Sequence, residues 1–282
     1  MKRKTAALSL MLLMLAAVIL FPAAASAGNP FASPRGSCNS IQGTTVIITI
    51  FVDDPYHHWD FNRSEDVASY FRIHTRLGTA CTWLTGQVAR YGAKAEIYWD
   101  WHNLKHLYYW YTSSHNMRDY QYTYTELQEF IHDNIQLQTI KDYYKADNAI
   151  FMALYNQDIN ETSRGVSYPW DFSPSAGHEA AYELLWIMDE DNGMTVSAAG
   201  LAHEIMHCCG AVDLYEGSGK TTQDYARHLK KIKSNDIMFH IDYSDPEHIG
   251  ESFSDTDAYF MGLLNSCRDK NTYGLPGNSF GH

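Results

Sequence analysis

The sequence is short of cations. It carries 33 aspartates and glutamates but only 21 lysines and arginines, a formal net charge of −12 over 282 residues. Nucleic acid and anionic lipid are bound through clustered basic charge, so neither is an expected partner. Proline is sparse, at 8, and no proline- or glycine-rich stretch divides the chain, so the usual mark of a linker between domains is missing. Internal repeats are also missing, which excludes solenoid and propeller architectures. Long apolar runs are absent with one exception, Ala6 to Phe21, which follows Lys2-Arg3-Lys4 and precedes the small residues Ala25-Ser26-Ala27. That run is shorter than the roughly 20 residues of a spanning helix.

The N-terminal segment reads as a secretory signal over residues 1–27, with a soluble, secreted (extracellular) chain beginning near Gly28. Its loss removes three cations, makes the remainder still more acidic and leaves no expected membrane contact. Residues 28–282 read as a single domain, expected to be a monomer. The chain has five cysteines, Cys38, Cys81, Cys208, Cys209 and Cys267, an odd number. In an oxidising compartment they allow up to two disulfides with one thiol over. Their pairing is open: Cys208 or Cys209 with Cys267, and Cys38 with Cys81, are the expected bridges.

Thr44 to Val52 is β-branched and apolar without clean alternation, which predicts a strand covered on both faces, as in parallel sheets. A loop rich in aromatics and histidine follows, in which His57 and His58 read as surface. An amphipathic helix is expected from Ser64 toward Val88, capped by Asn62 or Ser64. Further strands are expected at Ala95–Trp99, Ala149–Tyr155, Val166–Tyr168 and about Ala181–Met188, and a second helix at Thr125–Tyr144. Between Trp99 and Tyr124 the chain is dense in tyrosine. Strands alternating with helices predict an α/β (α+β) domain built on a mostly parallel sheet.

The chemistry is concentrated in Leu201-Ala202-His203-Glu204-Ile205-Met206-His207-Cys208-Cys209-Gly210-Ala211-Val212-Asp213. Residues four apart share one helical face, so His203 and His207 can present two imidazoles to one cation, with Glu204 projecting toward the same cleft. This is the H-E-x-x-H arrangement, in which two histidines hold zinc and the glutamate acts on its water. From Val196 to Val212 the only polar side chains are Ser197, His203, Glu204 and His207, a cluster that a plain surface helix leaves unexplained. Gly210 can end the helix in a left-handed turn and send the chain back, delivering Asp213 as a third ligand.

The full pattern, H-E-x-x-H-x-x-G-x-x-D, resembles the metzincin metalloproteases, and within them the aspartate-ligand, snapalysin-like secreted group. The resemblance implies a metzincin-like twisted sheet with an antiparallel edge strand at the cleft, an active-site helix and a C-terminal helical subdomain. The division would lie near residue 210, with an upper part before it and a lower part over 211–282. Gly165 to Tyr168 or Ala181 to Met188 would supply the edge that pairs with extended substrate. It also implies a methionine turn beneath the metal, matched by Ser234-Asn235-Asp236-Ile237-Met238. Two residues on, where related enzymes have tyrosine, stands His240, read either as a transition-state stabiliser or as a turn histidine; Tyr215 and Tyr243 are rival donors.

The expected activity is hydrolysis of peptide bonds in a peptide or protein substrate, with one catalytic zinc and Glu204 as general base. Rival readings are a zinc hydrolase of another amide, such as cell-wall peptide, or a non-catalytic aromatic-rich binding module. Glu251 is an alternative third ligand, though Ser254, Asp255 and Asp257 around it read better as the start of a final helix. Asp189 to Gly193 is acidic enough for calcium but lacks EF-hand spacing. Gly217 to Thr221 lacks the first glycine of a phosphate-binding loop.

Overall fold

The computed structural model describes residues 41–99, 106–117, 120–156, 165–168, 183–188, 197–218 and 221–277. The signal segment, Cys38 and the acidic stretch Asp189–Gly193 lie outside them. The strands are β1 (Gly43–Asp53), β2 (Ala95–Tyr98), β3 (Tyr108–Thr112), β4 (Asn148–Tyr155), β5 (Gly165–Tyr168) and β6 (Glu183–Met188). The helices are α1 (Ser64–Arg90), α2 (Tyr120–Asn134), α3 (Leu137–Tyr144), α4 (Ala198–Cys208), α5 (Gln223–Ile232), α6 (Asp255–Phe260) and α7 (Arg268–Tyr273).

The strands form one sheet in the order β2-β1-β4-β6-β5, with β3 also on β1. All neighbours are parallel except β5, which runs antiparallel to β6 at the edge. Of the two candidates for an antiparallel edge, Gly165–Tyr168 takes that place; the segment ending at Met188 is internal and parallel. β2 and β3 meet β1 end to end, β2 along Gly43–Val46 and β3 along Thr49–Asp53. β3 was not among the expected strands, because its tyrosines and tryptophan read as one aromatic cluster rather than a period.

β1 explains its own lack of alternation. Ile47 and Phe51 enter a core with Ile73, Leu77 and Leu84 of α1 and Leu201, Ile205 and Met206 of α4. Val46, Ile48, Ile50 and Val52 point the other way, toward Leu127 and Ile131 of α2 and Ile140 of α3. β4 divides likewise, with Ile150, Met152 and Leu154 on the first side and Phe151, Ala153 and Tyr155 on the second. Both faces are therefore covered, and polar residues in alternate positions would be buried without partners. The first core continues through Tyr225 and Leu229 of α5 and Ala258, Tyr259 and Phe260 of α6.

Several local expectations need correction. The N-cap of α1 is Arg63, without a side-chain hydrogen bond, rather than Asn62 or Ser64. Asp60 takes that space: its backbone N–H donates to Asp66 Oδ2 at 2.7 Å and its Oδ1 accepts from Asn62 at 2.9 Å. The expected helix over 125–144 is two helices, because the Leu137 N–H turns back to the Ile135 carbonyl at 2.8 Å. His57 is fully buried, its Nδ1 2.8 Å from Asp54 Oδ1, while His58 is exposed as expected. Asp54 accepts also from the Tyr56, His57 and Met117 backbone N–H groups, so a loop that looked solvated is built around a buried ion. Burial opposes that charge, but the hydrogen bonds, led by His57, hold the Asp54 carboxyl below its usual range.

No disulfide joins any two of Cys81, Cys208, Cys209 and Cys267, so the expected tie from α4 to Cys267 does not form. Cys267 instead caps α7, its sulfur accepting the Lys270 N–H at 3.4 Å. Cys208 and Cys209 are packed into the apolar core at the end of α4, and Cys81 is buried on α1, where desolvation drives its thiol pKa up. The expected bridge of Cys81 to Cys38 has one end outside the described residues.

Candidate metal centre

α4 starts where the Ser197 hydroxyl accepts the Gly200 N–H at 2.9 Å and the Pro246 carbonyl accepts the Ala198 N–H at 2.8 Å. Its apolar residues pack into one core with α1 and the sheet, which sets the face that carries the histidines. It ends at Gly210, whose φ of +98° lies in the region that glycine enters without a Cβ penalty. The Ala211 N–H closes the turn onto the Met206 carbonyl at 3.0 Å. The chain then doubles back and presents Asp213 to the two histidines.

His203, His207 and Asp213 form a group that can hold a metal ion. His203 Nε2 and His207 Nε2 are 3.0 Å apart, and Asp213 Oδ1 lies 3.3 Å from the first and 3.2 Å from the second. The three atoms make a nearly equilateral triangle. Zinc bonds of about 2.0–2.1 Å at the tetrahedral angle separate neighbouring ligand atoms by about 3.3–3.4 Å, so the triangle matches one face of such a tetrahedron.

The tautomers sharpen the match. His203 Nδ1 is 3.0 Å from the Ile237 carbonyl, and His207 Nδ1 is 3.0 Å from the Ala211 carbonyl. A carbonyl only accepts, so each Nδ1 carries the proton and, in the neutral ring, each Nε2 shows a bare lone pair. Two lone pairs and a carboxylate oxygen thus converge on one point. While both rings are neutral, Asp213 Oδ1 is buried there with no hydrogen-bond donor. Three mutually repelling acceptors then lie together in a low-dielectric site, an arrangement that a cation at their centre would relieve.

Without a metal a proton takes part of that role. Burial disfavours charge on His207, but the hydrogen bond to Asp213, the charges of Glu204 and Asp213, and the Ala211 carbonyl outweigh it and push its pKa up to about 9. Burial acts against Asp213 also, and the two histidines overcome it, holding the carboxyl well below its ordinary value. The raised His207 pKa stabilises the metal-free fold fully below pH ~6.5 and loses that contribution as pH climbs through about 9; the depressed Asp213 pKa stabilises above pH ~4 and loses it in strong acid. Metal uptake at neutral pH should therefore expel a proton, and apparent affinity should climb as pH rises toward 9. Calorimetry in buffers of different ionisation enthalpy reads that proton directly; equal heats in all buffers would contradict it.

Glu204 is half-buried beside the group, and its charge acts on His207, Tyr215 and Tyr243. Tyr215 is 44 % exposed; burial, the Asp213 charge and hydrogen bond, and then Glu204 push its pKa up to about 12. Both phenols therefore keep their protons at neutral pH and can donate them. His240 is exposed and sits over a separate cleft of about 350 Å³ with Asp242, His248 and Glu251. Glu251 is engaged there, accepting the Asp242 N–H at 2.7 Å, and does not join the histidine group among the described residues.

Met238 is fully buried in the same core as α4. The turn that bears it does more than fill space. The Ile237 carbonyl fixes the His203 ring, and the Met238 carbonyl accepts the Leu214 N–H at 2.8 Å, one residue beyond Asp213. One turn thus fixes both the His203 ring and the segment just after Asp213, on either side of Gly210. Sequence reasoning missed the Ile237 and Ala211 carbonyls, since every residue has one and only the fold says where it points.

No protein-family model matches the sequence, and no curated protein matches it.

Proposed function

We propose that this chain is an exported zinc-dependent endopeptidase of metzincin type. The observation that carries the reading is the convergence of His203 Nε2, His207 Nε2 and Asp213 Oδ1, 3.0–3.3 Å apart, with both Nδ1 protons committed to backbone carbonyls and Glu204 alongside. Two nitrogens and one oxygen suit zinc better than calcium, which takes six to eight oxygens. A parallel sheet with antiparallel edge β5, and α4 packed under it, agrees with the metzincin arrangement.

His203, His207 and Asp213 would hold the zinc, which would supply Lewis acidity toward water and a carbonyl. Glu204 accepts the proton of the attacking water on its carboxylate and delivers it to the leaving nitrogen. The Tyr215 and Tyr243 hydroxyls, near Glu204, are the donors for the developing oxyanion. The Asp213 carboxylate puts negative charge where a third imidazole would be neutral, and so moderates the acidity of the metal. Backbone groups at the edge of β5 are placed to align an extended peptide by strand addition.

The test is metal analysis of the purified protein together with cleavage of casein and of muropeptides, with and without chelator. One zinc per chain and chelator-sensitive casein cleavage are expected. Cleavage confined to muropeptides would move the substrate to cell-wall amide, and activity in metal-free protein would end the proposal.

A further inference from the structure

Beneath the metal group lie two carboxyls with no counter-cation. Asp236, in the turn that bears Met238, is 2 % exposed, and Asp257, on the first turn of α6, is 1 % exposed. Asp236 Oδ1 accepts the Met238 N–H at 2.8 Å, but its Oδ2 is buried with no donor. Asp257 Oδ2 accepts the Ser254 N–H at 2.9 Å, while the Ser254 hydroxyl accepts the Asp257 N–H at 3.2 Å, a reciprocal capping box. The two carboxyl groups are within hydrogen-bonding reach of each other.

The groups around them do not neutralise two charges. The Ser254 hydroxyl lies within hydrogen-bonding reach of Asp236, and His203 of α4 and Tyr225 of α5 interact with it electrostatically. Tyr225 is itself bonded to Thr256 and Asp269. Asp255, next to Asp257's turn, is bonded to Tyr91 at the end of α1. Among the described residues no lysine or arginine pairs with either carboxyl. Two ionised carboxylates side by side in this interior would repel in a low dielectric, whereas one proton between them satisfies the orphaned oxygen. Burial, followed by the neighbouring Asp236, drives Asp257 well above the ordinary carboxylate range, and burial raises Asp236 also.

Given the metal reading above, we propose that Asp257 is a positioning residue for the metal group: it shares one proton with Asp236, and this acid bridge fixes the turn whose carbonyls orient His203 and the segment after Asp213. The path is short. Asp257 holds Asp236, Asp236 holds the Met238 N–H, and the Ile237 and Met238 carbonyls hold His203 Nδ1 and the Leu214 N–H. The clamp ties α6 to α4 without touching the metal.

The test joins infrared spectroscopy to zinc competition against a chelator. The folded wild type should show the carbonyl band of a protonated carboxylic acid at neutral pH, where exposed carboxylates are ionised. Asp257→Asn should abolish that band yet keep the clamp, since the amide N–H donates to Asp236 and the amide oxygen still accepts from Ser254. Zinc affinity should stay within about threefold of wild type in Asp257→Asn and fall about 10- to 100-fold in Asp257→Ala, the usual effect of losing support behind a ligand. Absence of the band in folded wild type, its persistence in Asp257→Asn, or wild-type zinc affinity in Asp257→Ala would each overturn the proposal. If Asp257→Ala does not fold, the asparagine variant decides alone. Wild-type protein that shows the band but takes up no zinc refutes the metal reading instead, so the two failures are distinguishable.

Discussion

Glu204→Gln should leave the fold and the bound zinc intact and lower kcat/KM for peptide cleavage about 10²- to 10⁴-fold, the range for loss of a general base. Glutamine preserves the length of the side chain and one acceptor oxygen but cannot take up the water's proton. The variant has a second consequence that separates catalysis from ligation. The Glu204 charge is one of the contributions holding a proton on His207. Its removal eases deprotonation of that ligand but also takes away attraction for a dication, and the two effects oppose, so Glu204→Gln should still bind zinc at neutral pH. Retained zinc with lost hydrolysis is the expected pair of results. Casein cleavage at the wild-type rate would remove Glu204 from the mechanism.

Zinc should also raise thermal stability strongly, and Asp213→Ala should erase most of the effect. A ligand at 1,000 times its dissociation constant stabilises the fold by about 4 kcal/mol. For a domain of this size that is an increase of about 8–16 °C in Tm. With Asp213 gone two imidazoles remain, and the third corner of the triangle, 3.2–3.3 Å from each, is empty of a donor. Differential scanning calorimetry with zinc and with chelator measures both chains. A variant whose zinc-dependent shift equals that of wild type would show that Asp213 is not a ligand.

The divide between what the sequence disclosed and what it withheld follows physical lines. β1 was legible because a strand covered on both faces must be apolar at successive positions, and Val46 to Val52 is so apart from one threonine. The histidine face of α4 was legible because i and i+4 geometry is a property of any α-helix. The capping box at Ser254 was readable for the same local reason. What escaped depends on distant partners. His57 looked solvated, but it is bonded to Asp54, whose other oxygen takes the Met117 N–H from a distant part of the chain. β3, an expected aromatic cluster, is a strand because β1 offers its edge from Thr49 to Asp53. The helix expected to run to Tyr144 breaks at Ile135, where no glycine or proline warns of it. Cysteine arithmetic predicted bridges, whereas the described thiols are packed as small apolar groups or used as a helix cap.

The three converging atoms come from His203, His207 and Asp213, eleven consecutive positions of the chain. Closing so small a loop costs little entropy even in a denatured ensemble. Nearness along the chain is not aim, however: the Gly210 turn and the Ile237 and Ala211 carbonyls, which exist only in the folded molecule, point the three atoms at one another. Unfolding would therefore scatter the donors at a stroke, so loss of any bound cation and loss of the fold should come as one event.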